Sequence, residues 1–375
     1  MLKIENIRAD IATIPLGRPV VSSIHNINRI GVVVVSVETS AGITGEGLLF
    51  TLNDQLLELM RDMVLALGKQ IIGEDAEAYE HIWTKLWGSV QFFGSGGFLI
   101  FGVSGIDMAI WDAIGKYQKR SLAKLLGGGR NQVPAYASDV LFLDRSLEEL
   151  AIEAKELVKL GYKGMKVRVS GRDIDDDVAR VRTVRDAIGD NIALMADANQ
   201  AMNLNSAIAL GRRLEEFNLT WFEEPIPAHQ FEAYGILAAT LDTPIATGES
   251  NYTHLELKKL IDCRGADILM PDLSRVGGVT ELRRVAALAQ AADITITPHL
   301  YPEHSIGLVS AFPNGTFVEH MPWFSPLFAE KAEIKDGDFV VSERPGFGFE
   351  VDQEKLTQFA ALYHSSRQLD GAIRP

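Results

Sequence analysis

From residue 133 onward, short apolar runs alternate with stretches whose apolar positions recur every three to four residues. The runs Val133–Ser138, Met165–Val169, Ala193–Ala196, Trp221–Phe222, Pro244–Thr247, Ile268–Met270, Ile294–Thr297 and Thr316–Val318 read as strands. Leu147–Leu160, Asp175–Ala187, Asn205–Phe217, Glu232–Leu241 and Val279–Ala292 carry a helical period between them. Eight strands in succession, separated by helices, predict a closed parallel α/β barrel rather than an open doubly wound sheet.

The first part of the chain is patterned differently. Ile4–Ile14 alternates, Gly31–Val37 is β-branched, and Ala41–Gly47 is turn chemistry joining two strands. Leu16–Asn28, with Pro19, Ser22, Ser23 and His25, has little apolar periodicity and reads as a mobile loop, a lid. Leu56, Leu57, Met60, Met63, Val64 and Leu67 then fit a helical period, as do Ile106, Ala109, Ile110, Ala113 and Ile114. Gly94–Gly97 breaks that helical block, and Gly127–Gly129 ends it. Strands followed by helices predict an α+β domain over 1–128, ahead of a barrel over 129–325. The remainder, 326–375, holds a hairpin at Ile334–Val341 and is too irregular for a domain, so it is expected to pack back on the first.

Length agrees, since 375 residues exceed the roughly 250 of a barrel. A net charge of −14 argues against a nucleic-acid partner. No apolar run reaches about 18 residues, which predicts no membrane span. Met1–Glu5 does not open a signal peptide, so a cytoplasmic location is expected. Cys263 is the single cysteine, which excludes an internal disulfide.

Three acids mark the chemistry. Asp197, Glu223 and Glu249 fall at equal steps (249 − 223 = 223 − 197 = 26), each directly after an apolar or β-favouring run. One β/α unit takes up about that length, so the three converge on one barrel mouth. Such a cluster repels itself unless a cation sits in it, and hard oxygen ligands without cysteine suit Mg²⁺. Lys166 and Arg168 lie two apart on a strand, so both can point inward to meet anions. Asp272 and His299 end consecutive strands, and an Asp that holds Nδ1–H frees Nε2 as a base. Glu319 ends the last strand and can hydrogen-bond a substrate oxygen, as a donor when protonated. Asn199 is a candidate for the metal shell and His25 for substrate contact, while His304 and His320 are expected near the mouth. Together these groups suit removal of a proton α to a substrate carboxylate.

The segments Gly105–Asp112 with Gly115-Lys116, Lys166-x-Arg168, Asp197-x-Asn199, Phe222-Glu223-Glu224-Pro225, Gly248-Glu249, Met270-Pro271-Asp272 with Gly277-Gly278, and Pro298-His299 resemble the mandelate racemase subgroup of the enolase superfamily over nearly the whole chain. The resemblance implies an N-terminal α+β capping domain over a (β/α)7β modified TIM barrel. It implies Mg²⁺ on Asp197, Glu223 and Glu249, a His299–Asp272 base on one face of a small carboxylate substrate, and a lysine base on the other. It further implies that loops near Leu16–Asn28 and Leu48–Asn53 set specificity, and that the protein is a homo-oligomer, from dimer to octamer. This chain departs from the motif at Arg168, where the family racemase has that second lysine. A guanidinium stays protonated and is a poor base. With one convincing base, dehydration of a sugar acid to a 2-keto-3-deoxy acid is expected. The alternative is a racemase or epimerase of an α-substituted carboxylate.

Overall fold

A computed structural model describes residues 1–94 and 96–372. Ser95, within the expected Gly94–Gly97 break, lies outside the described residues. The N-terminal part is an antiparallel sheet of β1 (Ile4–Val21), β2 (Asn26–Thr39) and β3 (Thr44–Leu52). The β-branched run of β2 is buried from Val32 to Val37 because helices cover it. α1 (Leu57–Gly68) and α3 (Phe98–Gln118) lie on it, and α2 (Tyr79–Val90) and the short α4 (Leu122–Leu125) pack on α3. The central helix, α3, lies directly on β3. A Cβ at Gly45 would stand 2.0 Å from the Ala109 carbonyl oxygen, and one at Gly47 would stand 2.3 Å from that of Gly105. Only glycine permits this approach. By length and mean hydropathy α3 would suffice to cross a membrane, although Asp107 and Asp112 interrupt its apolar run. Here it is a buried core helix between β3 and the barrel.

The barrel strands are β4 (Gln132–Ala137), β5 (Gly164–Arg168), β6 (Ala193–Asp197), β7 (Trp221–Glu223), β8 (Ile245–Thr247), β9 (Ile268–Leu269), β10 (Thr295–Ile296) and β11 (Val318–His320). Each pairs in parallel with the next from β4 to β10. A bridge from Ile296 to Gly315 and the pairing of β11 with β4 close the ring. Between them run α5 (Leu147–Lys159), α6 (Ile174–Ile188), α7 (Leu204–Leu214), α8 (Phe231–Thr240), α9 (Thr253–Asp262), α10 (Leu273–Val276) with α11 (Gly278–Ala291), and α12 (Pro302–Ala311). Among the described residues no helix follows β11 to continue the series, which makes the barrel (β/α)7β. Tyr136, Met195, Trp221, Ala246, Ile268 and Met270 fill its interior as one packed cluster.

Three expectations need correction. Leu16–Asn28 is not a loop. Apart from a short turn it forms the outer arms of β1 and β2, with Val20 opposite Ile27 and Val21 opposite Asn26 after a register shift between Pro15 and Val20. Leu48–Asn53 likewise is almost entirely strand β3. The last barrel strand sits two residues later than Thr316–Val318, so Glu319 lies within it rather than at its end. After the barrel, β12 (Ile334–Lys335) and β13 (Asp338–Val340) form the expected hairpin, but β13 adds to β4 of the barrel. The final helix, α13 (Gln353–Ala372), returns to β1.

Candidate active site

Strand register brings the first charges together. Arg168 is paired with Asp197 and Asp197 with Glu223 across β5, β6 and β7. Glu249 follows Gly248, whose φ of +127° is a conformation that side chains rarely allow. Lys166 and Arg168 both point inward, as the two-residue period requires, and both are buried. Lys166 Nζ lies 2.6 Å from Glu223 Oε1, 3.0 Å from Glu319 Oε1 and 3.4 Å from Asp197 Oδ2. Burial alone would lower its ammonium, but Glu223 and Glu319 outweigh that and hold it raised and charged. Arg168 donates Nη2 to Ser138 Oγ at 3.2 Å, sits 3.5 Å from Asp197 Oδ2, and lies 5.3 Å over the Phe142 ring.

Opposite stands the dyad. His299 Nδ1 is 2.8 Å from Asp272 Oδ2. Asp272 caps α10, accepting Ser274 N–H at 2.8 Å and Ser274 Oγ–H at 2.9 Å through its other oxygen. That fixes the carboxylate, and the carboxylate fixes the ring. His299 Nε2 is left facing Glu249 Oε2 at 3.6 Å. Burial pushes the imidazole down, but Glu249 and Asp272 overcome it and raise it to about 9.

Glu319 accepts the Leu300 N–H at 2.8 Å through Oε2. Burial pushes its carboxyl up, yet Lys166 and His299 pull it well below the usual range. In this arrangement it is an ionised counter-charge to Lys166, and the donor role expected of it would need a proton it does not hold. Asn199, at φ +45°, donates its backbone N–H to Asp197 Oδ1 at 2.8 Å. His25 lines the same cavity from the β1–β2 turn. His304 and His320 do not reach the mouth. His304 is boxed by Tyr301, Phe328 and Phe347, and His320 stacks on Tyr162.

Can these residues hold a divalent ion? As the side chains stand, no three His, Cys, Asp or Glu groups among the described residues converge on one point. Glu223 is taken by Lys166 and by Trp221 Nε1 at 2.8 Å, while Glu249 leans toward His299. The donor set nevertheless fits. It is all hard oxygen, from the ends of neighbouring strands, which is the chemistry Mg²⁺ takes. Burial raises Glu223, Lys166 opposes this, and Asp197, Glu249 and Glu319 raise it further, so the acids outnumber their cations. Arg168 Nη1 and Asn199 Oδ1 are buried without hydrogen-bond partners. Buried polar atoms left this way mark a place for a ligand.

Two residues escaped the sequence reading. Arg275 places Nη1 3.3 Å from Asp272 Oδ2 and 3.2 Å from the Glu249 carbonyl oxygen. Its three-residue spacing from a helix-capping acid was the available signal. Glu224 is buried beside Glu223 at φ +32°, with Thr247 and Ser250 hydroxyls at 3.4 and 3.3 Å. Its doubling in Phe222-Glu223-Glu224-Pro225 was visible without a role attached. Lys166, Arg168, Asp197, Asn199, Glu249, Arg275, His299 and Glu319 line one cavity of about 100 Å³.

Known proteins are similar to this chain over most of its length. Residues 6–127 match the mandelate racemase / muconate lactonizing enzyme N-terminal domain, and residues 149–355 match the enolase C-terminal domain-like family. The L-talarate/galactarate dehydratase of Salmonella typhimurium is 32% identical over 94% of this chain and 90% of its own. The 3,6-anhydro-alpha-L-galactonate cycloisomerase of Streptomyces coelicolor is 31% identical over 95% and 99%. The crystal structure of L-talarate dehydratase from Polaromonas sp. JS666, complexed with Mg and L-glucarate, is 34% identical. It superposes with a TM-score of 0.89, covering 96% of this chain and 97% of its own. The chain belongs to the mandelate racemase / muconate lactonizing enzyme family of the enolase superfamily.

Proposed function

We propose that the protein is a Mg²⁺-dependent hydro-lyase that dehydrates a sugar acid to its 2-keto-3-deoxy acid. The carrying observation is the His299–Asp272 dyad set across one cavity from strand-end carboxylates, with a guanidinium on the wall where a second base would stand. The dehydratase activity of relatives, and the Mg in the Polaromonas structure, support it. Asp197, Glu223 and Glu249 would hold the ion. When bound, it supplies the positive charge that makes a proton α to a carboxylate removable.

The chain's own groups do the rest. His299 Nε2 takes the C2 proton while Asp272 holds Nδ1–H and balances the imidazolium. Lys166 donates to the carboxylate oxygens, where negative charge grows. The electron pair returns to form the C2–C3 double bond and expels the C3 hydroxyl. Imidazolium gives its proton to that oxygen, water leaves, and the enol becomes the 2-keto acid. Arg168 stays protonated and holds carboxylate or hydroxyl oxygens.

The test is a library of aldonic and aldaric acids, assayed for 2-keto acid formation with Mg²⁺. Turnover of one or more is expected, and none across the library with metal bound would defeat the reading. A racemase would need a second base. Solvent deuterium at C2 in both epimers of recovered substrate would favour it and overturn the role given to Arg168.

A further inference from the structure

The cavity has two unlike ends. Its floor, at the barrel strand ends, carries the charged groups just described. Its roof comes from the N-terminal sheet and from the chain after β11: Val20, Ile27, Phe50, Leu52, Met321 and Trp323. All but Leu52 are buried. Trp323 is the one of these six with a polar side-chain atom, and its Nε1 is spent on Asp139 Oδ1 at 3.0 Å. The ring therefore offers carbon to a ligand.

Three polar side chains approach that roof, and none of them brings an unmatched charge to it. Ser22 Oγ accepts the His25 N–H at 3.2 Å. Burial and then Arg275 push the His25 imidazole down, leaving it uncharged at neutral pH. Arg275 is the cation on this side, and Asp272 at 3.3 Å, with Glu249 and Glu224 nearby, already surrounds it with negative charge. The L-glucarate held by the Polaromonas relative has a carboxylate at each end. In this chain a second carboxylate would meet apolar carbon, and a terminal hydroxyl would lose water without regaining a full set of partners.

We propose that the preferred substrate is a 2,3-dihydroxy carboxylate whose far end is apolar, a terminally deoxygenated sugar acid, selected by Val20, Ile27, Leu52 and Trp323. This rests on the acid-sugar reading above.

The experiment compares three congeners of one configuration, ending in CH₃, CH₂OH or COO⁻, across the sugar-acid configurations. Two readouts are taken: kcat/KM with Mg²⁺, and calorimetric binding to the Mg²⁺-loaded His299→Asn protein, which needs no turnover. The CH₃ congener should exceed the CH₂OH congener by about tenfold in both, with the COO⁻ congener lower still. Leu52→Lys, which places a cation in the roof, should move the preference toward COO⁻. A wild-type preference for COO⁻ in either readout overturns the proposal, as does absence of binding by every congener. If no 2-keto acid forms but the binding order holds, the dehydratase reading falls and selection at the roof is upheld.

Discussion

Two clusters of buried charge stand in this molecule, and they differ in how completely they are satisfied. At the seam between the N-terminal sheet and the C-terminal segment, Asp112 accepts the Glu46 N–H at 2.9 Å and the Phe347 N–H at 3.0 Å, and pairs with Lys116 at 2.7 Å. One turn earlier on α3, Asp107 accepts the Thr280 N–H at 2.9 Å and the Thr280 hydroxyl at 2.5 Å. Both oxygens of each acid are used. At the barrel mouth, acids outnumber cations, and Arg168 Nη1 and Asn199 Oδ1 have no hydrogen-bond partners. Both clusters lie in motifs shared with the family. Saturation separates them: a buried charge with every bond made holds the fold, and one left short is kept for a ligand.

Substitution should therefore move different observables at the two places. The largest effect is expected from His299→Asn, which should lower kcat by about 10²- to 10⁴-fold while thermal unfolding stays near wild type. A matching loss of stability would erase the contrast. Next, Asp112→Ala should cost about 3–5 kcal/mol of stability in denaturant unfolding, because it strands Lys116 and two backbone N–H groups. Its kcat per folded molecule should hold. A third, smaller effect follows from electrostatics at the mouth. Glu249 and Asp272 hold His299 at about 9, so at about pH 7–8 the imidazole is protonated. A divalent ion on Glu249 cancels that support, and calorimetry in buffers of different ionisation enthalpy should show Mg²⁺ binding release up to about one proton. Zero release would mean that His299 does not feel the ion.

The smallest expected effect concerns histidines in neither cluster. Burial pushes His304 down to about 3 from its ordinary 6.5, and His320 down to about 4. The unfolded chain takes up these protons more readily, so stability should fall as pH drops below 6.5 and continue falling until the folded pKa is reached. His304→Phe should flatten that acid limb, and an unchanged limb would show that this ring is not buried neutral.

The site was more legible than its surroundings. Asp197, Glu223 and Glu249 could be read because a barrel repeats one β/α unit, so equal spacing along the chain becomes adjacency round a mouth. Lys166 and Arg168 could be read because a strand turns alternate residues to the same side. The arms of the β1–β2 hairpin could not. Their apolar residues face the cavity and the barrel rather than a neighbouring helix, so no local period betrays a strand. His304 and His320 were misplaced because proximity to the mouth in sequence does not decide which way a ring turns.

By itself the sequence determined the barrel, the order of its acids and the His299–Asp272 pair that faces them, because those follow from periods of two residues, of 3.6 and of one β/α unit. Only the tertiary structure decided which buried charges are saturated, that Arg275 and Glu224 stand behind the site, and that the roof of the cavity is apolar. Each of those depends on residues far apart in the chain meeting at one place, and no local pattern encodes such a meeting.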